Sequence, residues 1–207
     1  MYEIRKTDVY ARWLDNLRDV HARARVLARV ERLAVGNPGD VKPVGEGLSE
    51  LRIACGPGYR VYFTMRGRTT IILLAGGDKR TQTADIKAVL RLARNLSEEI
   101  MDMRNARKAT RTRTTRYDVA EHLRTPEEMA AYLEASLGEA NGDAAFIAKA
   151  LGDIARAKGM AQVAHDAGLS RESLYKALSG DRRPGFDTIL KVIAALGIRL
   201  HAEAVHG

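Results

Sequence analysis

Near the N-terminus the apolar positions recur at helical spacing. Val9, Trp13, Leu14 and Leu17 share one face of a segment starting at Thr7. A second run places Val26, Leu27, Val30, Leu33 and Ala34 together, with Arg23, Arg25, Arg29 and Arg32 largely elsewhere. A short strand, Tyr2–Arg5, precedes them. Gly36 suits the position after a helix end, and Asn37-Pro38-Gly39-Asp40 is a strong break. The period then becomes two. Leu51 and Ile53 alternate with Glu50 and Arg52, while Val61, Phe63 and Met65 alternate with Arg60, Tyr62 and Thr64. Gly56-Pro57-Gly58 and Arg66-Gly67-Arg68 read as turns. Ile71–Leu74 reads as a strand covered on both faces and ended by Gly76-Gly77. A helix capped by Thr81 or Thr83 follows, carrying Ile86, Val89, Leu90 and Ala93. The first 97 residues thus predict the order β-α-α-β-β-β-α.

Residues 98–116 lose this periodicity and read as a basic linker or a frayed helical extension. Beyond them the pattern is helical. Thr125-Pro126-Glu127-Glu128 has the chemistry of a helix start, with a capping Thr, Pro in the first position and acids in the first turn. Met129, Tyr132, Leu133 and Leu137 line that helix. After Asn141-Gly142-Asp143 comes a longer one bearing Phe146, Ile147, Ala150, Leu151, Ile154 and Ala155, closed by Gly159. Ile198 and Leu200 mark a short terminal strand. The fold class expected is α+β: an N-terminal mixed domain (1–97), the linker (98–116), an arm or helix (117–145) and a C-terminal all-α domain (146–207).

The segment Met160–Gly180 fits a helix-turn-helix. Ala164 is small where two helices cross, and Gly168, four residues on, takes the positive φ of a sharp turn. Leu169 plugs the core, Ser170 caps the second helix and Leu174 anchors it. Arg171, Glu172, Ser173 and Lys176, with the cap Ser170, then face outward, where the second helix of such a motif meets base edges. Arg182 and Arg183 are placed to contact phosphate. Tyr175 has two readings, a phosphate contact or internal packing, with packing preferred.

Composition narrows the classes. The charge of +8 is uneven: residues 1–97 hold 18 Lys/Arg against 10 Asp/Glu, residues 98–116 hold 6 against 3, and residues 117–207 hold 10 against 13. A basic front half fits a polyanionic partner, and an acidic back half complements it. The single cysteine, Cys55, makes no internal disulfide, and the sequence has no zinc spacing and no phosphate-cradling glycine motif. No cofactor or metal is expected. No apolar run approaches the roughly 18 residues of a membrane span, so no membrane partner and a cytoplasmic location are expected.

Two resemblances sharpen this. The stretch GEGLSELRIACGPGYRVYFTMRGRTTIILLAGGDKRTQTADI (Gly45–Ile86) resembles the HigB-like addiction-module killer proteins of the RelE/ParE toxin superfamily. Its ELRI, GPGYRVYF and LLxGGDKxTQxxDI blocks carry the similarity, which covers residues 2–97. The stretch Tyr117–Leu137 and the IAKALGDIARAKGMAQVAHDAGLSRESLYKALS segment resemble the HigA-like addiction-module antidote proteins, over about Thr115–Glu203. The order is toxin before antidote, in one polypeptide.

The resemblance implies a metal-free, ribosome-dependent mRNA endoribonuclease, in which a 2′-OH attacks the adjacent phosphate. Such a site needs a proton acceptor, cations for the phosphorane and a proton donor. Arg52, Arg60, Tyr62, Lys79 and Arg80 are the catalytic candidates, with Tyr59 or Tyr62 stacking on a base. Arg52 has a second reading as the ion-pair partner of Glu50 or Glu46, and both tyrosines have one as sheet packing. His21, the only histidine of the front half, is read as structural. Tyr117, Met129, Tyr132, Leu133 and Leu137 are expected to neutralise the toxin, within one chain or by exchange between two. A homodimer would bind a palindromic operator as an autorepressor. Two other readings stand beside this one: a transcriptional regulator with an inactive toxin-derived scaffold, and a ParE-like inhibitor of DNA gyrase.

Overall fold

Thr7 both ends the first strand and starts the first helix. Its hydroxyl donates to Leu74 O (2.6 Å) and accepts from Tyr10 N (3.2 Å), tying β1 (Glu3–Thr7) and α1 (Asp8–Asp15) to the middle of the sheet. Asp19 caps α2 (Val20–Ala34) through the amides of His21 and Ala22, and Gly36 follows its end at φ +87°. The computed structural model describes residues 1–101, 113–180, 184–201 and 204. The chain divides into two compact units, Met1–Asp118 and Val119–Gly207.

In the first unit β2 (Val41–Gly45), β3 (Leu48–Ile53), β4 (Tyr59–Arg66) and β5 (Thr70–Asp78) form an antiparallel meander. They are followed by α3 (Gln82–Met101) and β6 (Thr114–Arg116). The six-stranded sheet has the order β2-β3-β4-β5-β1-β6, with β1 parallel to β5 and antiparallel to β6. Leu48, Tyr62, Ile72 and Leu74 pack with Val89 and Leu96 of α3 on one face. On the other, α1 lies over β5 and α2 over β3.

Two strands are absent from the pattern reading. The β2 segment contains Pro43 and Gly45, a weak strand signal, but it is an edge strand, where a missing donor is tolerated. The β6 segment is too short to show alternation and is fixed by its partner β1. The glycine pair also differs from expectation: Gly76 and Gly77 lie inside β5 and do not end it. A methyl on Gly76 would overlap the Trp13 ring of α1, and one on Gly77 would overlap the Asp85 carboxylate of α3. The two residues let helices approach the strand from opposite sides. Gly76→Ala is therefore expected to destabilise this unit by about 1–3 kcal/mol, as overpacking does, measured by urea unfolding followed through the protein's single tryptophan.

The second unit is helical. Val119–His122 forms a short 3-10 turn, and Thr125 and Glu128 build a reciprocal capping box at the start of α4 (Pro126–Glu139). Then come α5 (Ala144–Lys158), α6 (Met160–Asp166), α7 (Arg171–Leu178) and α8 (Phe186–Leu196). Their core holds Tyr132, Leu133, Phe146, Leu151, Ile154, Val163, Leu174 and Val192. Gly152 lets α7 sit close to α5, since a methyl there would lie 2.8 Å from Leu178 O. The expected terminal strand is not formed by residues 198–201. Gly197 turns the chain at φ +75°, and Ile198 N donates back to Ile193 O, which spends this backbone on closing α8. No helix among the described residues is long and apolar enough to cross a membrane.

Candidate functional site

Residues opposite one another on antiparallel strands share a face. The pairs Arg52↔Arg60 and Glu50↔Tyr62 therefore put all four side chains on the α3 face of β3 and β4. Alternation alone reads Glu50 as a solvent-facing position. With both faces of the sheet covered, its carboxylate is instead fully buried. Oε1 accepts from Arg52 Nε (3.2 Å) and lies 3.2 Å from Arg60 Nε, while Oε2 accepts from Gln82 Nε2 (2.7 Å). Arg60 also donates to Gly58 O (2.8 Å), and Arg52 comes within 3.8 Å of Asp40. Arg60 is largely enclosed, whereas about a third of the Arg52 side chain is open to solvent.

Lys79 belongs to the same corner. A methyl on Gly58 (φ +77°) would lie 3.5 Å from Arg60 Nη1 and 3.7 Å from Lys79 Cβ, so the two basic residues flank one turn. Lys79 is exposed. Arg80 is exposed too, but its guanidinium is held by Asp78 (Nη2 to Oδ2, 3.0 Å) and its amide donates to Oδ1 (2.8 Å). Those hydrogen bonds hold the Asp78 carboxyl below the usual carboxylate range.

The tyrosines part company. Tyr62 is fully buried under α3, and its hydroxyl has no hydrogen-bond partner among the described residues. Burial, with Glu50 second, pushes that hydroxyl far above its ordinary pKa. Its ring has no open side for a base, so its place is in the core. Tyr59 is half-buried against the half-buried Trp13, ring centroids 6.3 Å apart, and its pKa is raised mainly by burial. Trp13 continues to Tyr10 (5.8 Å), and Tyr10 to Tyr117 (6.4 Å). Pattern reading missed Glu50, Gln82 and Trp13 as site residues. The available signal was an acid between two arginines on adjacent strand positions of one face.

In the second unit α6 and α7 are joined by a turn. Ala164 is buried at the crossing, Gly168 has φ +64°, and Ser170 Oγ accepts from Ser173 N (3.0 Å) as the α7 cap. Leu174 is fully buried, while Ser170, Arg171, Glu172, Ser173 and Lys176 are exposed. Tyr175 departs from expectation. It is exposed, with the Arg171 guanidinium 5.8 Å from its ring centroid, because the inward positions of this short helix are taken by Leu174 and Leu178. Arg182 and Arg183 lie outside the described residues.

Of the residues expected to neutralise a toxin, Tyr132 and Leu133 are buried in this unit's own core, and Tyr132 donates to Asp153 Oδ2 (3.1 Å). Asp153 also accepts from Lys149 (3.0 Å) and Arg156 (2.7 Å). Met129 is half-buried and Leu137 exposed. Tyr117 lies in the first unit, buried beside β1. Among the described residues no cluster of His, Cys, Asp and Glu is arranged to hold a metal ion.

Residues 12–98 match the family model described as phage derived protein Gp49-like (DUF891), and residues 113–204 match that of a probable addiction module antidote protein. Two relatives are uncharacterized proteins of Haemophilus influenzae. One is 46% identical over 94 residues, 45% of this chain and 95% of its own length, and the other 52% identical over 87 residues, 42% and 88%. The chain belongs to both families, one in each half. It is a toxin–antitoxin module in a single polypeptide. No solved structure matches. The Arg52–Glu50–Arg60 corner lies in the Gp49-like half, and the α6–α7 pair in the antidote half. The antidote match also takes in β6 and Tyr117, which the fold places in the first unit.

Proposed function

We propose that the Gp49-like half is a RelE-type, HigB-like endoribonuclease acting on mRNA at the ribosome, and that the HigA-like antidote half silences it and binds operator DNA. The observation that carries the first part is the pair of guanidiniums fixed on one buried carboxylate, with Lys79 at the adjoining turn. Glu50 holds the two arginines in a fixed geometry; with Asp40 also paired to Arg52, the net positive charge of the corner comes from Lys79. A phosphate whose charge grows in the transition state gains most from such cations, because they need no reorganisation. Arg52, the more open, takes a non-bridging oxygen, and Arg60 backs it. Lys79, with Arg80 beside it, faces the attacking and leaving oxygens, while Tyr59 and Trp13 offer an aromatic edge for a base. Glu50 and Gln82 position the arginines without touching substrate.

For the second part, the exposed Arg171, Ser173 and Lys176 beyond a Ser170-capped start have the form of a recognition helix, and a dimer would present two of them to a palindromic operator.

The test compares growth of cells making the full chain, residues 1–101 alone, and that fragment with Arg52→Ala and Arg60→Ala. Arrest by the wild-type fragment only, with cuts in translated mRNA mapped by primer extension, is the expected result. Equal growth of all three strains, with the fragment folded by circular dichroism, would sink the toxin reading. Arrest with intact mRNA and lost supercoiling would move the target to gyrase.

A further inference from the structure

The edge of the toxin sheet is made by antidote sequence. In the order β5-β1-β6, β1 is an inner strand only because Thr114–Arg116 lies beside it. The register pairs Thr7 with Thr114, Lys6 with Thr115 and Arg5 with Arg116, and Tyr117 N donates to Ile4 O (3.0 Å). Side chains reinforce the ladder. Arg5 Nη2 donates to Thr114 O (2.9 Å) and Arg5 Nε to Thr114 Oγ1 (3.2 Å). The Tyr117 ring is buried, edge-on to Tyr10, with the ammonium of the buried Lys6 5.7 Å from its centroid. Thr114–Tyr117 fall inside the antidote match (113–204), whereas β1 precedes the Gp49-like match (12–98) and pairs with β5 inside it, so this pairing joins antidote sequence to the sheet of the Gp49-like half.

We propose that β6 and Tyr117 are the clasp by which the antidote half holds the toxin half, a β-strand added to the free edge of β1 and anchored by one aromatic ring. It rests on the toxin–antidote reading of the two halves. Backbone hydrogen bonds give such an added strand its grip, and a side chain seated in a pocket gives it specificity. An uncovered β1 would present unpaired backbone groups, an edge that proteins otherwise protect. The clasp needs no covalent link between the halves. It also sets one end of the ring contacts running through Tyr10 and Trp13 to Tyr59 beside the arginine corner.

The test uses the full chain with a specific protease site placed within residues 102–112 and cut after purification. The two pieces are expected to co-migrate in size-exclusion chromatography. In Tyr117→Ala, which removes the anchor, and in Thr115→Pro, which removes a ladder donor, the dissociation constant is expected to rise about 30-fold or more, as for a central aromatic hot spot. Amide exchange in the uncut chain gives a second reading: Ile4 and Lys6 are protected in the wild type and exchange faster in Thr115→Pro. Wild-type pieces that separate at once, or variant pieces that bind as tightly as wild type, would overturn the clasp. Both readouts are independent of toxicity. A harmless 1–101 fragment would leave the clasp standing, and a lost clasp would leave the nuclease reading standing.

Discussion

Glu50→Ala is expected to destabilise the first unit by about 3–5 kcal/mol, the cost of removing one partner from a buried ion pair. Glu50 is fully buried and takes Arg52, Arg60 and Gln82 on its two oxygens. Without it, the largely enclosed Arg60 keeps its charge with Gly58 O as its one hydrogen-bond acceptor among the described residues. Glu50→Gln separates charge from shape. It retains an acceptor for Arg52 and loses the attraction that offsets Arg60 desolvation, so a smaller loss is expected. Urea unfolding of the full chain, read through Trp13, measures both. A loss below about 1 kcal/mol for Glu50→Ala would mean that the carboxylate is not holding the arginines. The proposed phosphate site would then lack its preorganisation.

This acid also shows what the sequence could and could not reveal. Helices are legible wherever apolar spacing coincides with an end signal or a cap, as at Val20–Ala34 before Gly36, Thr125–Glu139 and Ser170–Leu178. The central strands are legible from alternation. What escapes depends on pairing between distant segments. The β2 and β6 strands exist because a partner strand accepts them, and Gly76-Gly77 reads as a stop until two helices are seen pressing on it. Arg52, Arg60 and Lys79 stand out by residue type, and the structure brings them to one turn. Tyr62 and Tyr132 have the same chemistry as exposed tyrosines, and only three-dimensional packing assigns them to cores. Tyr117 reads as part of a helical arm, whereas its ring is set by β1, more than a hundred residues earlier.

Replacing Arg171 and Lys176 together by alanine is expected to weaken operator binding by about 2–6 kcal/mol, or about 1–3 kcal/mol for each base contact. Both side chains are exposed on α7, one in its first turn and the other in its last, and neither is needed for the fold, which rests on Leu174 and Leu178. Unfolding of the double variant should therefore match the wild type. Arg171 also lies over the exposed Tyr175 ring, so Tyr175→Ala frees that guanidinium and is expected to cost less than Arg171→Ala. Binding measured against salt separates the two roles. A side chain reading a base edge changes the ratio of specific to nonspecific affinity. Removing a side chain that neutralises a phosphate lowers both affinities and reduces the salt slope by about one. If the double variant binds operator as tightly as wild type at every salt concentration, α7 is not the reading helix. The exposed face of α6, with Gln162 and His165, would then be the next surface to test.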